Sequence, residues 1–293
     1  MNPGFPPPDI PKKDFNSFRY LIHQGPIARS VEDLKLVLTI IAGPHPDEVD
    51  VPYVNLFPPP KKELKDLRIA WSDDFGGIAA SEDTRAAMKN LSNRLAAEGC
   101  RIEKITPAGF DYAQIRRTFS RVLDLQMGPN IPWYGRALQY VFGWSRRQAS
   151  GSDMVIPQTY EKFLRSLTRK EELTSKMEKF LLPYDAFICP VTVSPAFRHI
   201  TPDGYAPPLN TPYYTKPMIV DEKPFYYWTA NGAYTIVFNL TGHPVVVIPA
   251  GYTKEGLPIG IQIVGKRWRD MELLEVAARV DQVANQYRRP PGY

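Results

Sequence analysis

HPVVVIPAGYTKEGLPIGIQIVG, residues 243–265, holds two apolar runs on either side of a polar turn that contains Gly256. Valine and isoleucine dominate both runs with almost no polar alternation, as in strands covered on both faces rather than wet on one side. The stretch therefore reads as a buried hairpin. Gln262 is a lone amide inside the second run, so it must be buried and hydrogen-bonded.

Downstream, RDMELLEVAARVDQVANQY closes the chain as an amphipathic helix through Leu273, Leu274, Ala277, Val280 and Ala284. Upstream, DAFICP, ending at Pro190, is a short apolar strand, preceded by a long charged helix from about Thr159 to Leu182. Between that strand and the hairpin, residues 195–227 are rich in proline and tyrosine and read as a long loop. Nearer the start, LRIAW is a buried strand, and DTRAAMKNLSNRLAAEG carries Met88, Leu91 and Leu95 on one helical face and stops at Gly99. The alternating strand CRIEKI follows. Strand, helix and strand with short connections imply a parallel pair joined by a crossover. SVEDLKLVLTIIAG is a further helix, with Ser30 as N-cap and Gly43 placed to end it. Residues 44–60 read as a loop, and residues 110–148 as a helical region broken by Gly128, Pro129 and Pro132. The expected fold class is α/β, a mixed central sheet covered by helices.

Composition sets the frame. The chain has 293 residues, 43% hydrophobic and 23% charged, which is ordinary for a globular protein. Its formal charge of +5 comes from scattered pairs such as Lys12-Lys13 and Arg288-Arg289, which read as solvated surface rather than as a nucleic-acid footprint. Cys100 and Cys189 stand far apart, which suggests neither a disulfide framework nor a zinc knuckle and favours a reducing, cytoplasmic home. The first residues, MNPGFPPPDIPKKDF, lack a signal-peptide core, and no run of about 18 apolar residues occurs, so stable membrane insertion is not expected.

Motifs that carry chemistry unaided are missing. The sequence has no G-x-S-x-G, S-x-x-K, H-E-x-x-H, P-loop or G-x-G-x-x-G. His23, His45, His199 and His243 show no metal-ligand spacing and are given packing or surface roles. Asp47, Glu48 and Asp50 read as a solvated cluster, and Asp73-Asp74 follows a strand end without a partner motif. No cofactor or metal is expected.

Three blocks point to a family. QGPIARSVEDLKLVLTIIAGP (residues 24–44) resembles the amidase signature segment in which a Gly-Pro-x-Ala-Arg-Ser-Val pattern opens a helix. YDAFICPVT (residues 184–192) resembles that family's Tyr-Asp strand ending in Pro-x-Thr, and residues 235–265 resemble its Asn-x-x-Gly-x-Pro hairpin. Order and spacing agree.

The resemblance implies amide hydrolysis by a Ser nucleophile, a bridging Ser with a cis peptide bond and a Lys base, with backbone N–H groups holding the oxyanion. The family carries those parts in a glycine-serine loop and a preceding Lys strand, and this sequence has neither. Ala149-Ser150-Gly151-Ser152 lacks the flanking glycines, and Lys12-Lys13-Asp14 precedes the wrong segment. Catalytic residues are accordingly none, and the expected organisation is a proline-rich extension over residues 1–24 followed by a single incomplete amidase-type α/β domain over residues 25–293. A truncated gene product, one half of a split enzyme and a degenerate homologue with a binding or assembly role all remain open.

The resemblance also implies substrate-pocket roles for Pro190, Thr192, Thr235, Asn239 and Thr241; the alternative, that they only shape turns, stays open. Arg29 is expected to be structural, anchoring the start of its helix or a nearby carboxylate, with substrate contact as the alternative. Asn231, Gly232 and Ala233 stand where glutamine-dependent members carry an acidic residue, which argues against a glutamine-hydrolysing role. The aromatic segments 133–144 and 205–228 are either core or pocket wall, and as wall they favour an apolar or aryl amide. The expected partners are a small-molecule amide, if an N-terminal part completes the site, and a protein covering an exposed sheet. A further expectation places the basic, aromatic residues 116–147 at an anionic surface.

Overall fold

The computed structural model describes residues 21, 23, 25–43, 56–127, 159–206 and 211–289. Helix α1 (Val31–Ile41) begins where the Ser30 side chain accepts from the Asp33 N–H at 3.0 Å. A one-turn 3-10 helix precedes strand β1 (Arg68–Trp71), and two short strands, β2 (Asp74–Phe75) and β3 (Ile78–Ala79), form a small hairpin. Helix α2 (Glu82–Ala97), capped by Ser81, leads through Gly99 at φ +87° into β4 (Arg101–Lys104). Helices α3 (Tyr112–Met127) and α4 (Tyr160–Leu181) come before β5 (Ala186–Pro190).

The expected long loop is different in the structure. It carries two antiparallel hairpins, β6 (Gly204–Ala206) with β7 (Thr211–Tyr213) and β8 (Met218–Val220) with β9 (Lys223–Phe225). The β8–β9 turn holds Asp221 and Glu222 at φ +47° and +64°. Left-handed backbone at non-glycine residues is what hides such a turn from a glycine-based reading. Two short helices follow, α5 (Tyr227–Gly232) and α6 (Ile236–Thr241). The quoted stretch then forms β10 (Val245–Tyr252) and β11 (Pro258–Val264), and α7 (Asp270–Ala284) completes the described chain. The expected aromatic segment 133–144 lies outside the described residues, as does most of the 116–147 stretch.

One five-stranded sheet organises these elements in the order β10-β11-β5-β1-β4. Strand β1 runs parallel to β4 and β5, while β11 is antiparallel to both β5 and β10, so the sheet is mixed. Side chains alternate strictly across it. Ile69, Ala186, Ile188, Ile261 and Ile263 pack under α2 and α7, whereas Ala70, Phe187, Cys189 and Val264 pack under α3, α4 and α6. Helices thus cover both faces, as the apolar strands require. Strand β4 departs from that pattern, since Arg101, Glu103 and Lys104 are exposed. It is an edge strand, and charge on an edge discourages further pairing.

Strand β10 is the other edge among the described residues. Its pairing with β11 slips between Pro249 and Gly251, leaving one extra residue as a bulge. Proline is tolerated there because an edge strand does not need every N–H. Among the described residues, no helix is long and apolar enough to cross a membrane.

Candidate functional site

Three local structures meet at the carboxyl end of β5. The strand ends at Pro190, and the chain after it is pinned on both sides: the Ser81 N–H donates to the Val193 carbonyl at 2.7 Å, and the Val193 N–H donates to the Ala230 carbonyl at 2.9 Å. Helix α6 ends in Gly242, which takes φ +72° while its N–H donates to the Phe238 carbonyl at 2.7 Å. That left-handed C-cap turns the chain sharply into β10. Gln262, at the centre of β11, joins the parts: its Nε2 donates to the Pro190 carbonyl at 2.7 Å and to the Tyr234 carbonyl at 3.1 Å. The lone amide of the apolar run is therefore buried and doubly bonded, as its position demands.

Beside this junction lies a cavity of about 630 Å³. Thr235, Phe238, Asn239 and Gln262 line it from one face of the sheet, and Leu34, Leu38 and Leu274 from the other. Val245, Val246 and Val247 stand between the two groups. The cavity consequently bends around the β10 edge and touches both layers of helices.

Of the residues expected at a pocket, Thr235 and Asn239 lie on this wall, and Pro190 sits directly behind Gln262. Thr192 and Thr241 are not among the lining residues. Thr192 donates its hydroxyl to the Ser194 carbonyl at 2.5 Å, and Thr241 is fully buried with its hydroxyl 2.9 Å from His243 Nδ1. Arg29 is exposed, and at the helix start the Ser30 hydroxyl accepts from the Asp33 N–H.

Sequence reasoning gave His23 and His243 no site role, yet both line the cavity. The overlooked signal was the position of His243, between the αL glycine and the first residues of the edge strand. Burial, with the Arg267 charge adding to it, pushes the His243 imidazole down to about 3. His243 Nε2 is buried without a hydrogen-bond partner and stands 3.6 Å from Glu178 Oε1. A neutral ring at that distance is a polar contact, not an ion pair. Burial likewise lowers His23, to about 4, with Lys170 adding to the effect. Both rings are neutral at pH 7.

The wall offers hydrogen-bonding groups but little reactivity. Burial pushes the Cys189 thiol up and the Cys100 thiol up to about 11, so neither is a thiolate nucleophile. Tyr234 donates its hydroxyl to the Ile78 carbonyl. Among the described residues, no group of three or more His, Cys, Asp or Glu side chains could hold a metal.

The model of one family, Amidase, matches residues 17–274. The chain is 25% identical over 292 residues to a glutamyl-tRNA(Gln) amidotransferase subunit of Oceanobacillus iheyensis, with 91% of this chain and 56% of that protein covered. It is 24% identical over 279 residues to an acylamidase of Rhodococcus erythropolis, covering 89% of this chain and 52% of the relative. Among solved structures, a glutamyl-tRNA(Gln) amidotransferase subunit of Thermotoga maritima superposes with a TM-score of 0.63 at 18% identity, over 90% of this chain and 53% of that one. A 6-aminohexanoate cyclic dimer hydrolase superposes with a TM-score of 0.62 at 21% identity, over 90% and 55%. The chain spans about half the length of the curated relatives it matches.

Proposed function

The chain belongs to the amidase family, and on that basis we propose that it forms the sheet and one substrate-pocket wall of an amidohydrolase whose nucleophile, bridging serine and lysine base come from the rest of the family's length. Residues 25–293 act in this reading as one incomplete domain, with residues 1–24 as an extension. The observation that carries it is the cavity at the β10 edge. There the amides of Asn239 and Gln262 and the Thr235 hydroxyl are offered with no serine or lysine among the lining residues. Such a wall can orient an amide and exclude water, which contributes to rate only when reactive groups are brought opposite it. Pro190 backs the wall through its carbonyl bond to Gln262, whereas the Thr192 and Thr241 hydroxyls bond within their own turns.

The substrate is a small amide with an apolar or aryl part, in keeping with Leu34, Leu38, Phe238 and Leu274 on the cavity wall. A cytoplasmic location suits two buried, unpaired cysteines. The reading is tested by fusing the half of the Rhodococcus acylamidase outside the overlap to this chain and following arylamine release from an anilide. Turnover is expected, with Asn239→Ala raising KM more than it lowers kcat. A folded fusion that binds the anilide without turnover would favour a non-catalytic binding module instead.

A further inference from the structure

The turn between β11 and α7 is held in a conformation that costs energy. Trp268 takes φ +64°, a left-handed backbone that is rare for a large side chain, and such strain persists only where its surroundings fix it. Here the Arg269 N–H donates to the Lys266 carbonyl at 3.2 Å, and the Lys266 ammonium donates to the Leu182 carbonyl at 3.3 Å, just past the end of α4. The turn puts Trp268 on the cavity lining, and the Arg267 guanidinium lies over its ring, 5.7 Å from the centroid. Arg267 is half-buried, and its Nε is sealed from solvent without a hydrogen-bond partner.

A second half-buried cation, Lys170 of α4, stands near the first. Burial lowers its ammonium, and the Arg267 charge lowers it further by more than Glu171 offsets. The same two cations act on the histidines of the cavity, Lys170 on His23 and Arg267 on His243. Four basic groups therefore gather at the end of the cavity that His23 and His243 line. The nearby acids leave the two cations unmatched. Glu178 stays 3.6 Å from His243 Nε2, Asp270 lines the cavity, and among the described residues no carboxylate forms an ion pair with Lys170 or Arg267. The Lys170 ammonium and the terminal nitrogens of Arg267 are not sealed, so they remain open to a ligand. Half-buried cations that repel one another are costly to hold without an acid, and an anion between them offsets that cost.

We propose that Lys170 and Arg267 form a subsite for a small oxyanion, a carboxylate or phosphate group, at the histidine-lined end of the cavity. The planar guanidinium fits such a group through paired N–H donors, and the ammonium adds a compact charge. An anion seated there cancels the repulsion that the two cations exert on His23 and His243, so both imidazoles gain proton affinity when the site fills. Two sources fit the chemistry: a carboxylate carried by an amide held on the Thr235 and Asn239 wall, or a free inorganic anion. The site uses no nucleophile or base, and it holds whether or not the chain serves an amidohydrolase.

The test titrates the full chain with sodium phosphate, acetate, acetanilide and succinanilic acid, an anilide whose acyl chain ends in a carboxylate, while NMR follows the histidine rings across pH. Saturable binding of phosphate, of succinanilic acid or of both is expected, with the His23 midpoint moving up from about 4. Lys170→Met and Arg267→Met should each weaken that binding roughly tenfold or more, since each removes a charge-assisted bond. Arg198→Met, at an exposed cation that does not line the cavity, should leave it unchanged. Lys170→Met should also raise the urea midpoint in anion-free buffer, because it removes a half-buried charge that has no acid partner. Succinanilic acid binding more tightly than acetate and acetanilide supports the site with the oxyanion carried by an amide, and phosphate binding most tightly supports it with a free anion. Binding of none of the anions, saturation that leaves both histidines unmoved, or indifference to both methionine variants would each overturn the proposal.

Discussion

Gln262 Nε2 lies 2.7 Å from the carbonyl oxygen of Pro190, a bond that ties the last residue of β5 to the middle of β11. The same amide reaches the Tyr234 carbonyl at the start of α6, so one side chain sets the position of Thr235 and Asn239 relative to the sheet. Gln262→Leu keeps the volume but removes the donor from two buried carbonyls. A loss of about 2 kcal/mol is expected in urea unfolding, with less change for Gln262→Asn if the shorter amide retains one bond.

Gly242 adopts φ +72° at the end of α6, where an L side chain is strained. Gly242→Ala should cost about 1 kcal/mol. Gly25→Ala is the control: a Cβ there meets nothing within 4 Å, and its unfolding midpoint should stay put.

The pH dependence follows from His243. Its folded-state value lies near 3, below the unfolded value of about 6.5, so the unfolded chain takes up a proton that the folded chain refuses. Stability from this residue is complete above pH 6.5, falls as the pH drops, and levels off near pH 3, with a steepest slope of about 1.4 kcal/mol per pH unit. His23 acts in the same direction down to about pH 4. Urea midpoints between pH 4 and 7 should decline less steeply for His243→Asn than for the unaltered chain.

Surface apolar groups predict the behaviour of the isolated chain. Leu36 and Ile40 on α1 are 60% and 73% exposed, in addition to Val247 and Ile27 at the cavity rim. The free chain should bind an environment-sensitive apolar dye and lose solubility on concentration. Val247→Lys should reduce both effects; equal dye binding by the variant would place the sticky surface elsewhere.

Much of this architecture was legible in the residues. Ser30 caps α1, Gly99 ends α2, and the valine and isoleucine runs of β5, β10 and β11 announced a sheet buried on both faces. The β8–β9 hairpin escaped because Asp221 and Glu222, not glycine, make its turn. The cavity escaped for a different reason. It is assembled from α1, α6, β10 and α7, and only strand order, a long-range property, shows that β10 is an edge. His243 gave no motif because its role depends on burial rather than spacing. The pocket residues inferred by resemblance diverge once in place: Thr235 and Asn239 face the cavity, while Thr192 and Thr241 use their hydroxyls on internal bonds.

The decisive comparison is the rate of arylamine release from an anilide by the purified chain alone, set beside the rate with the complementing half of a relative joined to it. No release above background by the chain alone, and turnover by the joined protein, is the expected pair of results. Steady turnover by the chain alone, at a rate proportional to its concentration, would show that the reactive groups are already present in these 293 residues and would refute the half-site reading.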